Sequence, residues 1–127
     1  MFEVKMDPAQ NLLLLAFRKY VAPAELASGR AHVAAALETL QPGFRLLTDL
    51  SELDSMEYTC APEIQAVMDM LRKKGVSLVV RVIPDPRKDI GFTVMSFFHY
   101  DHKTPVLILD SRAEALEKLF GVTWLNP

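Results

Sequence analysis

Phe2, Val4 and Met6 alternate with Glu3 and Lys5 at the start of the chain. A period of two puts the apolar residues on one face and predicts a half-buried strand. Asp7-Pro8-Ala9-Gln10-Asn11 is turn chemistry, and the apolar run Leu12–Phe17 predicts a second, more buried strand in a hairpin with the first. The period then lengthens. Pro23 and Glu25 suit a first helical turn, and Leu26, Val33, Leu37 and Leu40 recur on one stripe, with Gly29 and several alanines filling it. Gln41-Pro42-Gly43 stops that helix, and Phe44–Leu50 reads as a strand.

The second half repeats the scheme. Ile64, Val67, Met68 and Leu71 stand at helical spacing, and Lys73-Lys74-Gly75 ends the helix. Val76–Ile83 is valine-rich with few polar breaks, as expected of a central strand covered on both faces. Pro84-Asp85-Pro86 breaks the chain. Ile90, Val94, Phe97 and Phe98 then predict a third helix running to about Tyr100. Lys103-Thr104-Pro105 is a turn, and Val106–Leu109 predicts a short buried strand. Ser111 and Glu114 form a capping box for a last helix closed by Gly121, and the apolar tail Val122–Leu125 is expected to pack back on the body. The order is ββαβαβαβα. Strands alternating with helices imply parallel pairing and helices on the sheet faces.

Composition narrows the function. The chain has 127 residues, half of them apolar and a quarter charged, which suits one globular domain spanning 1–127. A net charge of −2 without a basic face argues against nucleic acid. No apolar run approaches the ~20 residues of a membrane helix, so no membrane insertion is expected. The first residues lack the pattern of a signal peptide, and a lone cysteine permits no internal disulfide; the expected location is the cytoplasm.

The stretch DLSELDSMEYTCAPEI, Asp49–Ile64, joins a predicted strand to a predicted helix. It offers Asp49, Ser51, Asp54, Ser55, Glu57, Tyr58, Thr59 and Cys60 at the carboxyl end of a strand, where open α/β sheets place their binding sites. The order of elements, with Asp49-Leu50-Ser51 closing a strand, resembles the STAS family, and more closely the small SpoIIAA-like bacterial proteins. That resemblance implies an α/β fold with a mixed, mostly parallel sheet of about five strands and about four helices. It also implies a non-catalytic regulatory or interaction module. Family members carry Asp-Ser-Ser/Thr-Gly at the helix start, with the serine after the acid as phosphate acceptor. Aligned on Met56, this chain reads Glu57-Tyr58-Thr59-Cys60, so a tyrosine stands at the acceptor position.

Three readings of the stretch follow. It is a surface for a protein partner; or a phosphate switch on Thr59 or Tyr58, favoured by the helix N-terminus and opposed by Glu52, Asp54, Glu57 and Glu63; or a polar turn in which Thr59 caps the helix. Cys60 reads as a structural cysteine. Phe92, Met95 and Phe98 make the predicted third helix apolar over more than one face. With Trp124 they suggest a homodimer surface, a wall for a small apolar, lipid-like ligand, or simply a wide core stripe. His99, Asp101 and His102 lie close enough to suggest metal ligands, but lack the further converging groups a metal needs. No phosphate-cradling glycine loop or nucleophile elbow appears, so neither a cofactor nor an enzyme activity is expected.

Overall fold

β2 (Leu12–Phe17) is buried along its whole length, because the fold covers both of its faces. In the computed structural model, which describes residues 1–83 and 104–120, it pairs antiparallel with β1 (Phe2–Asp7) and parallel with β4 (Arg45–Asp49). β6 (Leu78–Val82) and β7 (Val106–Leu109) continue the parallel run, giving a five-stranded sheet in the order β1-β2-β4-β6-β7. The expected hairpin and the mixed, mostly parallel sheet are both present.

α1 (Pro23–Thr39) and α2 (Ala61–Lys74) lie on one face of this sheet. There Leu13, Leu15, Leu46 and Val79 meet Leu26, Val33, Ile64 and Met68. α3 (Arg112–Phe120) covers the other face, where Leu12, Leu14, Leu47 and Val80 meet Ala115, Leu116 and Leu119. Successive strand residues therefore enter different cores, as a period of two requires. α2 ends as its sequence predicts: Gly75 takes the left-handed conformation at φ 98° and donates to the carbonyls of Leu71 and Arg72. Gly29 has a packing reason, since a Cβ there would collide with the Phe2 ring.

Several expectations change. Lys19–Val21 forms a short strand, β3, paired parallel with β5 (Leu53–Met56) in a separate two-stranded sheet. The stretch after Asp49 is thus partly extended structure and not a plain loop. Val106–Leu109 is an edge strand, not a buried one, and Ile108 is 56% exposed. Its outer side pairs with no described strand. Three α-helices occur among the described residues; the helix expected over 90–100 and the tail expected over 122–125 lie outside them. The capping box is half present, with Glu114 N donating to Ser111 Oγ at 3.2 Å.

Candidate functional site

β4 delivers Asp49 to the carboxyl end of the sheet. Its side chain is 3% exposed. Oδ1 accepts from Ser51 N at 2.9 Å and from Ser51 Oγ at 2.6 Å, an Asx turn that reverses the chain as it leaves the strand. Oδ2 faces Arg112 of α3, with Nε 3.8 Å away. Leu50 and Leu53 are fully buried, so the turn is pinned from beneath. Leu50 N donates to the Val82 carbonyl at 2.9 Å, which ties the turn to the end of β6.

From Leu53 the chain runs beside β3. Lys19 N donates to the Glu52 carbonyl at 2.8 Å, and the Glu52 carboxylate meets Arg18 Nε at 2.8 Å. Asp54, Ser55, Glu57, Tyr58 and Thr59 all face solvent. Tyr58 is 75% exposed, and Tyr20 on neighbouring β3 is 50% exposed. The Tyr20 hydroxyl is shifted above its ordinary range by desolvation, and further by its hydrogen bond to the Glu57 carboxylate. This links Tyr20 on β3 to Glu57, one residue past β5, at the rim.

A 3-10 turn at Tyr58–Cys60 leads into α2. Thr59 does not cap the helix: the N-cap is Cys60, in helical conformation with no side-chain capping bond, and Pro62 follows in the first turn. The reason is geometric, since a capping side chain needs an extended backbone and the entering 3-10 turn denies it one. Cys60 is fully buried and its Sγ donates to the Val21 carbonyl at 3.5 Å. Burial, and next the Glu57 carboxylate, push the thiol's pKa up, so it stays protonated at neutral pH despite standing at a helix start. Glu63 in the first turn of α2 pairs with Arg30 of α1 at 3.1 Å.

The eight residues singled out in sequence therefore separate into two sets. Asp49 and Cys60 are buried supports and Ser51 is half-buried, while the other five form an exposed rim. Two members of the site were not foreseen. Tyr20 reaches it through the unpredicted β3 pairing, and its sequence surroundings carry no signal. Arg112 did leave one: a cation in a helix's first turn opposes the dipole and calls for a nearby acid. Phe92, Met95, Phe98, His99, Asp101, His102 and Trp124 lie outside the described residues. Among the described residues no group of His, Cys, Asp and Glu is arranged to hold a metal, and no helix is long and apolar enough to cross a membrane. An enclosed space between sheet and α2, bordered by Thr48, Leu15, Phe17, Ile64 and Met68, amounts to ≈ 10 Å³, the size of one water.

No protein-family model matches this chain, and no curated protein sequence does. Solved structures match it in fold. Sheet and helices together form an α/β unit with a STAS-like fold. The unphosphorylated anti-sigma factor antagonist SpoIIAA superposes with a TM-score of 0.65 at 14% identity, over 96% of this chain and 100% of that one. An uncharacterised protein from Shewanella loihica with a SpoIIAA-like fold gives 0.64 at 15% identity, over 94% and 92%. The phosphorylated Bacillus SpoIIAA gives 0.63 at 14% identity, over 94% and 99%. The chain has the SpoIIAA-like fold that its element order resembles.

Proposed function

We propose that this chain is a non-catalytic, cytoplasmic regulatory or interaction module that binds a protein partner, or a second copy of itself, through residues 49–60 and α2. One observation carries the reading. Asp54 and Ser55 are presented to solvent on β5, which pairs with β3, and Glu57, Tyr58 and Thr59 on the turn that follows it, with buried Leu50, Leu53 and Cys60 anchoring the segment. Such a surface is ordered before a partner arrives, which lowers the entropic cost of binding. Exposed tyrosine is also among the residue types enriched at protein contacts and their energetic hot spots. The shared fold with an anti-sigma factor antagonist supports a regulatory role. Tyr58 in place of a serine acceptor favours recognition by contact over serine phosphorylation.

The test is capture from lysate with tagged wild-type chain and a Tyr58→Ala/Thr59→Ala double variant. A partner held by this rim is recovered at least about tenfold less by the variant. Equal recovery by both chains would remove the rim from the contact.

A further inference from the structure

α2 carries a different surface at each of its ends. At its start stands the rim, where Tyr58 is the most exposed large apolar side chain among the described residues. Glu57 precedes it and accepts from the Tyr20 hydroxyl, a neutral donor that leaves the negative charge in place. At the other end, the last turns of α2 and α1 leave an open groove of ≈ 380 Å³ between them. Ala34 and Leu37 of α1 and Met70 of α2 give it an apolar lining. Its charged lining is Lys73 and Lys74 of α2 against Glu38 of α1. Asp69, one turn earlier on α2, is paired with Arg72. Two cations against one acid give the groove a positive balance, opposite in sign to Glu57.

Rim and groove share one helix but lie about 20 Å apart, the length of its 14 residues. They cannot meet within one chain. We propose that they meet between copies: Tyr58 of one chain docks in the α1–α2 groove of the next, with Glu57 against Lys73 and Lys74. An aromatic ring seated in an apolar cleft anchors a contact, and opposite charges beside it fix the register. Neither chain has to rearrange, since the rim is held by its buried base and the groove lies between two packed helices. The two surfaces differ, so the contact is head-to-tail and leaves a free rim at one end of the assembly and a free groove at the other. Further chains add until the rotation closes a ring. This inference rests on the reading of the rim as a contact surface and commits that surface to one occupant, a second copy.

Sedimentation velocity of the purified chain reads it over about a hundredfold range of concentration. The wild-type average mass is expected to rise past that of two chains, and to fall when salt is added. Tyr58→Ala and the double variant Lys73→Glu/Lys74→Glu should each weaken self-association at least about tenfold. Mixed together, these two variants should form a species of two chains and stop there, because the first keeps its groove and the second keeps its rim. Glu57→Lys added to the lysine double variant should restore assembly, which also shows that the variant folds. A wild type that stays monomeric at every concentration would overturn the proposal and leave both surfaces to other proteins. A mass that levels off at two chains, or a mixture of the two variants that stays monomeric, would overturn it as well. Capture from lysate is scored separately, so a monomeric chain that still recovers a partner through its rim ends this inference and not the interaction reading.

Discussion

The two ends of the parallel strands use their polar groups in opposite ways. At the end where the strands start, loops are tied to one another. Asn11 Nδ2 donates to the Gln41 carbonyl at 3.1 Å, and Gln41 N donates back to Asn11 Oδ1 at 2.9 Å. Gly43 N donates to the Gly75 carbonyl at 2.7 Å, and Ser77 Oγ donates to the Gly43 carbonyl at 2.6 Å. Arg45 joins Gln10 to Leu119. At the end where the strands finish, polar side chains from Asp54 to Thr59 point to water above a buried base. The same sheet thus has one end closed upon itself and one end turned outward. That division is the physical content of the rule that open α/β sheets bind at the carboxyl ends of their strands.

Substitutions can break or sharpen this contrast. The largest effect is expected from Leu53→Ala. This fully buried side chain fixes β5 beneath the rim, so its loss should cost about 3 kcal/mol in urea unfolding and also weaken the rim's contacts. A cost below about 1 kcal/mol would mean that the outward end lacks a rigid base.

Asn11→Ala at the closed end follows, at about 2 kcal/mol. It removes both bonds to Gln41 and leaves an alanine at φ 50°, in left-handed backbone. Asn11→Gly should recover only the strain, about half of that loss. If Asn11→Ala is neutral to thermal and chemical unfolding, the closed end is not held by its cross-bonds.

Thr48 belongs to neither end. Its buried Oγ1 has no hydrogen-bond partner and borders the small enclosed space against α2. Thr48→Val keeps the shape and removes the orphaned hydroxyl, so it should stabilise the chain by about 1 kcal/mol. Destabilisation by that amount would reveal a water bound in the space. The smallest effect is expected from Tyr58→Ala. At 75% exposure it should change stability by less than about 0.5 kcal/mol while reducing partner capture.

The main sheet was legible because its signals are local. Leu12–Phe17 and Leu78–Val82 are apolar runs of strand length, and Gly75 after two lysines is a helix stop. β3 and β5 were not legible. Each is only a few residues long, Leu-Asp-Ser-Met contains poor strand formers, and their pairing joins segments about thirty-five residues apart. Exposure of β7 was also hidden, since Val-Leu-Ile-Leu reads alike at an edge or a centre. At the site, the place of Asp49–Cys60 at a strand's end could be read from the sequence. That Asp49 is buried, shared between Ser51 two residues later and Arg112 on the last described helix, could not. Burial of a charge depends on a partner brought in by tertiary structure.

The most direct test places a photo-activated cross-linking residue at Tyr58 on the outward end, or at exposed Ala9 on the closed end, in the intact chain inside cells. A discrete cross-linked species from position 58 and none from position 9 is the predicted result. Equal yields from both positions, or a species from position 9 alone, would contradict the account.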